Sequence, residues 1–142
     1  MKIVELLSVS EAQVEEFRDL FAELNPLILV NKKKIVRAME ATGTHVFALL
    51  NDDERIIGTA TLCVLELPTG RKADVEAVVV KSHYRGHGLG KMLMEHVIEY
   101  VRHELGHVTI HLTSNANRVA ANELYKSLGF QKVETNVYMM KA

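Results

Sequence analysis

Val78-Val79-Val80-Lys81-Ser82-His83-Tyr84-Arg85-Gly86-His87-Gly88-Leu89-Gly90-Lys91 carries a β-branched run through a glycine-punctuated turn straight into an amphipathic segment. The order reads as strand, anion-binding loop, helix. Gly86, Gly88 and Gly90 remove side chains where backbone must come close to a ligand. A helix beginning near Leu89 aims unpaired N–H groups and its positive dipole end at that ligand. A phosphate or pyrophosphate suits such a site.

Two familiar nucleotide loops fit poorly. A dinucleotide fingerprint needs G-x-G-x-x-G after an early strand and an acidic residue about 20 residues on, whereas here the spacing is Gly86-x-Gly88-x-Gly90 and the strand lies mid-chain. A P-loop needs G-x-x-x-x-G-K-[ST], and Gly90-Lys91-Met92 lacks both the spacing and the hydroxyl. A kinase-like reading would also need a Mg²⁺-binding carboxylate near the loop, and no suitable Asp follows it.

The rest of the chain bounds the answer. Its 142 residues, 48% hydrophobic and 25% charged, predict one domain over 1–142 with a sizeable core. A net charge of −1 with interspersed signs gives no overall electrostatic reason to expect nucleic acid or an anionic membrane surface. Cys63 is the single cysteine, so no intramolecular disulfide forms, and Leu62, Val64 and Leu65 around it predict a buried core thiol. Met1-Lys2-Ile3-Val4-Glu5 is not the start of a signal peptide, and no apolar run reaches about 18 residues, so a soluble, cytoplasmic chain is expected.

Hydrophobic periodicity predicts a strand over 2–7, then a helix opened by Ser10 with Gln13 as a capping box and closed at Asn25-Pro26. A second helix covers 31–41. His45–Leu50, the turn Asn51–Arg55 and Ile56–Val64 read as a hairpin, followed by a strand over Ala73–Val80. After the loop come a helix from Leu89 to Glu104, a strand around Val108, Ile110 and Leu112, and a helix from Ala116 to Leu128. Gln131 to Lys141 supplies one or two closing strands. The order β-α-α-β-β-β-α-β-α-β mixes hairpins with a helical crossover and predicts an α/β fold, a mixed sheet with helices on both faces.

The pattern R-x-x-G-x-G at Arg85–Gly90 resembles the acetyl-CoA loop of the GNAT N-acetyltransferase superfamily. Ala121-Asn122-Glu123-Leu124-Tyr125-Lys126-Ser127-Leu128-Gly129-Phe130 resembles that family's late helix, A-x-x-L-Y-x-x-L-G-F. Together they cover about residues 73–132, and the element order agrees. The resemblance implies a GNAT acyl-CoA N-acyltransferase fold with a mostly antiparallel sheet. It also implies direct transfer of acetyl from acetyl-CoA to a primary amine, without an acyl-enzyme and without a metal.

It further implies roles for particular residues. Arg85, Gly86, His87, Gly88, Leu89, Gly90 and Lys91 would hold the pyrophosphate, mainly through backbone N–H groups. Val78 and Val80 would pair with the pantetheine arm like an added strand, and an N–H near Val78 or Val79 would polarise the thioester. Many members carry an asparagine seven residues before the tyrosine. Here that position is Arg118, so Asn117, one step earlier, and Asn122, one helical turn before Tyr125, are both candidates for cofactor contact.

Glu76 is the candidate base. Regular alternation puts Glu76, Val78 and Val80 on one strand face, and a carboxylate inside an apolar strand is costly without a purpose. A structural ion pair is its other reading. Tyr125 is the candidate acid, because a phenol with a pKa near 10 is protonated at neutral pH and can donate to a departing thiolate. The acceptor is not fixed: small amines, amino sugars and protein N-termini are all used in this superfamily. Val75-Glu76-Ala77-Val78-Val79-Val80 is similar to members that acetylate glucosamine 6-phosphate, and the cluster Lys32-Lys33-Lys34 with Arg37 would suit an anionic acceptor. His111 could face the acceptor cleft, while His103 and His107 lack the companions a metal site needs. A non-catalytic acyl-CoA sensor would keep the glycines and tolerate loss of Glu76 and Tyr125. The apolar Val137-Tyr138-Met139-Met140 admits either core packing or pairing across a homodimer.

Overall fold

A computed structural model describes residues 1–142. In chain order the elements are β1 (Lys2–Glu5), α1 (Glu11–Leu24), α2 (Lys32–Glu40), β2 (Thr44–Leu50), β3 (Ile56–Leu67), β4 (Gly70–Val80), α3 (Leu89–Tyr100), β5 (Ile110–His111) and α4 (Val119–Ser127). Local chemistry sets several of these boundaries. The Ser10 hydroxyl accepts from the Gln13 N–H while the Gln13 side chain accepts from the Ser10 N–H, closing the predicted capping box at the start of α1. Asn31 caps α2 through the Lys34 N–H. Asn51 accepts the N–H groups of Asp53 and Arg55 and so shapes the turn between β2 and β3.

The strands form one five-stranded sheet in the order β1-β2-β3-β4-β5, antiparallel throughout except for the parallel pairing of β4 with β5. Period-two alternation splits the apolar residues between two cores. Phe47, Leu49, Ala60, Leu62, Ala73 and Val75 pack under α3 residues Leu93, Met94 and Val97, with Tyr125 of α4 in the same cluster. Val46, Ala48, Leu50 and Val79 pack against Val14, Phe17 and Leu20 of α1 and Ile35 of α2. Helices therefore cover both faces, as the element order predicts.

One irregularity in β4 governs the site. Glu76 stands opposite Thr61 and Val79 opposite Thr59, so Ala77 and Val78 together face the single residue Ala60. This β-bulge bends the strand and shifts its alternation by one residue. Ala77 takes the left-handed conformation there, with φ 52°. Before the bulge Ala73 and Val75 face α3; after it Val78 packs on the α3 core and Val79 on the α1 core. Glu76 shares the face of its partner Thr61, toward α1 and α2. The expectation that Glu76, Val78 and Val80 lie on one face is thus corrected: Glu76 is on the opposite face from Val78.

Other boundaries also differ. β1 ends at Glu5, α3 gives way after Tyr100 to a π-type turn over Val101–Leu105, β5 is only two residues long and α4 starts at Val119. Residues 131–142 form no strand. They are exposed throughout, with Val137, Tyr138, Met139 and Met140 at 76–89% exposure. A strand needs a neighbour for its N–H and C=O groups, and no backbone hydrogen bond joins this segment to the sheet. Cys63 is half-buried rather than a core residue. It lies on the α1/α2 face, in register with Thr44 and Asp74, and burial together with the nearby Glu76 and Asp74 carboxylates pushes its thiol pKa up. It is accordingly a poor nucleophile.

Candidate active site

β5 pairs with β4 only at Ala73–Ile110 and Asp74–His111. Beyond Asp74 the two strands part, leaving one edge of β4 without a neighbour. The Lys81 N–H bonds back to the Ile57 carbonyl on β3, so by strand alternation the N–H and C=O of Val80 point away from β3, to that open edge. The Val80 carbonyl accepts from Arg85 Nε at 2.8 Å, which folds the Arg85 side chain against the end of the strand.

The chain then turns through Ser82–Tyr84 into the glycine loop. Gly86 and Gly88 have φ of 84° and 76°, and Gly88 is the residue preceding the first turn of α3. At Gly90 the constraint is space: a Cβ there would lie 3.3 Å from Leu124 Cδ2, so glycine lets α3 approach α4. The first turn of α3 has no side-chain cap and no acidic residue, so its N–H groups and positive dipole end stay available to an anion. Lys91 in that turn lies 3.8 Å from Glu95.

These elements enclose a cavity of ≈ 450 Å³. Its walls are Val78, Val79 and Val80 from β4, the loop and helix start at Arg85, Gly86, Gly88, Leu89, Gly90 and Lys91, and the face of α4 from Arg118 to Tyr125. Arg85, Lys91 and Arg118 bring three cationic side chains to it, and no carboxylate lines it. The lining therefore favours an anion, while Leu89, Val119, Leu124 and the β4 valines add apolar wall.

Tyr125 is 6% exposed and packs edge-on against Phe130. Burial pushes its hydroxyl pKa up from the ordinary phenol value, and the nearby Arg118 guanidinium acts in the opposite sense. Glu76 is exposed and outside this cavity, on the other face of the sheet. The parting of β4 from β5 is where the two faces communicate. On the Glu76 side stand Thr61 opposite it, Asp74 two residues before, and His111 in register with Asp74.

Among the residues singled out by sequence, His87, Asn117 and Asn122 do not line the cavity. The His87 ring Nδ1 lies 3.1 Å from the Arg85 carbonyl and helps fold the loop. The Asn122 amide donates to the Asn115 carbonyl at 3.0 Å, tying down the turn before α4, and Asn117 is exposed in that turn. Arg118, Val119, Ala120, Ala121 and Leu124 line the cavity although sequence reasoning gave them no role. Arg118 and Ala121, seven and four residues before Tyr125, share its helical face, and that spacing was their signal. In the basic cluster, Lys32 pairs with Glu11 and Lys34 donates to the Leu29 carbonyl, while Lys33 and Arg37 are exposed without an acidic partner.

Comparison with known proteins agrees with this architecture. Residues 6–130 match the Acetyltransferase (GNAT) family. N-acetyltransferase 8B of Rattus norvegicus is 33% identical over 88 residues, 61% of this chain and 39% of that protein. The [Ribosomal protein bS18]-alanine N-acetyltransferase of Salmonella typhimurium is 34% identical over 92 residues, 63% of this chain and 58% of that protein. The matches span well under half the length of the mammalian relatives. In fold, the acetyltransferase Tb11.01.2886 of Trypanosoma brucei superposes with a TM-score of 0.79 at 23% identity, over 99% of each chain. A family match over most of the chain, on a sheet that opens beside a glycine-led helix start, shows that the chain belongs to the GNAT acetyltransferase family.

Proposed function

We propose that this chain, as a single acetyltransferase domain over 1–142, moves the acetyl group of acetyl-CoA directly onto a primary amine of a small molecule. The observation that carries the reading is the cavity joining the open edge of β4, the uncapped start of α3 and the Tyr125 hydroxyl. The backbone N–H groups of Gly88–Lys91, with Arg85 and Lys91, suit a pyrophosphate. The apolar β4 edge suits the pantetheine arm, with Val80 and Val78 as its backbone partners.

Glu76 and Tyr125 then approach the thioester from opposite faces of the sheet through the gap between β4 and β5. Glu76, directly or through a water, takes a proton from the amine as its nitrogen attacks the carbonyl carbon. The C–S bond breaks, and Tyr125 gives its proton to the leaving thiolate. Exposure of Glu76 on the α1/α2 side fits a base that must meet an acceptor arriving from solvent. Lys33 and Arg37 on that side fit an acceptor bearing a negative group. The alanine N-acetyltransferase named among the relatives favours a second reading, a peptide N-terminus as acceptor.

Thiol release from acetyl-CoA across a panel of amines, amino-sugar phosphates and short peptides tests the reading. Turnover on one class is expected, and Glu76→Gln should lower kcat about 10²-fold with little change in acetyl-CoA affinity. Acetyl-CoA binding without turnover on any amine, insensitive to Glu76→Gln, would mark a sensor instead.

No helix of the structure is long and apolar enough to cross a membrane, and we place the enzyme in the cytoplasm. The exposed 131–142 segment, with its row of apolar side chains, supports a homodimer in which it adds to a partner's sheet edge. A dimer by light scattering, converted to monomer by Met139→Asp with Tyr138→Asp, is the expected result; a monomeric native protein would contradict it.

A further inference from the structure

We infer that Glu23, on the last turn of α1, is a positioning residue that holds the glycine loop in its anion-binding shape. The short turn Ser82–Tyr84 leads into that loop, and Lys81, where a capping side chain would stand, makes no such bond. Glu23 supplies the missing cap from 59 residues away: its two carboxylate oxygens lie 3.2 and 3.3 Å from the Ser82 N–H. Hydrogen bonding by Ser82 is the main reason its carboxyl pKa is held down, with Arg85 and Lys81 adding positive charge nearby.

The same helix makes a parallel contact two turns earlier, where Glu16 accepts the Ile56 N–H at 3.1 Å at the start of β3. These carboxylates lie seven residues apart, along the side of α1 that also buries Val14, Phe17 and Leu20. Helix α1 therefore docks on the sheet by an apolar stripe and is pinned by carboxylates to backbone at two points. Only the Glu23 point touches the loop. Tyr84 at the other end of the turn is held through its hydroxyl by the Asn51 amide at 3.2 Å, and Arg85 is folded against Val80. With Glu23 removed, the Ser82 end of this frame loses its anchor while the remainder stays.

The inference rests on the loop being the acetyl-CoA site, and the test separates the two claims. Acetyl-CoA binding is measured by calorimetry on the full chain, together with KM and kcat on an accepted amine and amide exchange over 81–90. Glu23→Ala should weaken acetyl-CoA binding about tenfold and raise its KM equally, with kcat at saturation within about twofold and faster exchange at Ser82–Arg85. Glu23→Gln, which keeps an acceptor oxygen, should fall between Glu23→Ala and wild type. Glu15→Ala, removing a carboxylate paired with Arg18 within α1, should change none of these. Wild-type affinity in Glu23→Ala, or a loss of melting temperature and kcat with affinity intact, would overturn the inference. A wild-type protein that binds no acetyl-CoA would overturn the loop assignment itself, and this inference with it.

Discussion

Replacing Tyr125 with phenylalanine is expected to lower kcat about 10²-fold, with acetyl-CoA affinity nearly unchanged. The ring fills a site that is 6% exposed and packs on Phe130, and phenylalanine retains that volume and contact. What is lost is the hydroxyl proton that the proposed mechanism hands to the leaving sulfur. The direction of the pKa shift matters for the role. Burial raises the hydroxyl pKa despite the opposing Arg118 guanidinium, so the group remains an acid across the neutral range. The wild-type rate should then show no alkaline limb from Tyr125 below about pH 10.

Stability follows the same linkage. The folded protein holds this proton more tightly than the unfolded chain does. Its stabilising effect is complete below about pH 10 and is lost as pH rises through the raised value. Tyr125→Phe should remove that alkaline component from a pH series of denaturant melts. Unchanged kcat in the variant would show that the leaving thiolate takes its proton elsewhere, and Tyr125 would then be a packing residue of α4.

The glycine loop and the Tyr125 helix were legible in sequence because their chemistry is local. A glycine triplet before an amphipathic run has few structural uses, and the A-x-x-L-Y-x-x-L-G-F helix fixes one face by spacing alone. The two cores were legible for the same reason, since Phe47 and Leu49 alternate with Val46, Ala48 and Leu50 along β2. What could not be read depends on partners distant in sequence. The bulge at Ala77 is a matter of register against Thr59–Thr61, and no property of Val-Glu-Ala-Val-Val-Val announces it. Asn122 looked suited to a ligand, yet its amide is taken up by the Asn115 carbonyl. The segment after Phe130 has the β-branched and aromatic residues of a strand but makes no backbone hydrogen bond to any strand of the sheet, and propensity without pairing makes no sheet.

Deleting Ala77 should have its largest effect on acetyl-CoA binding rather than on the cores, because it removes the extra residue that bends β4. With Val78 alone opposite Ala60, Glu76 stays opposite Thr61 and Val79 opposite Thr59, so Val79 keeps its place in the α1 core. Both cores should stay packed and the left-handed residue, which costs about 1–2 kcal/mol, is gone, so a denaturant melt should shift little or upward. The open edge would re-aim its N–H and C=O groups, so acetyl-CoA binding should become undetectable by calorimetry. Point substitutions separate the bulge from its strain. An L-residue in the left-handed conformation costs about 1–2 kcal/mol, and glycine avoids this at an entropic cost of about 0.5–1 kcal/mol. Ala77→Gly should therefore be neutral or slightly stabilising in a denaturant melt and keep full affinity. Ala77→Val, β-branched at φ 52°, should destabilise by about 1–3 kcal/mol while retaining the register. If the deletion variant bound acetyl-CoA as tightly as wild type, the bulge would not be what aims the β4 edge. The bend that the extra residue puts into β4 would then lose its functional meaning.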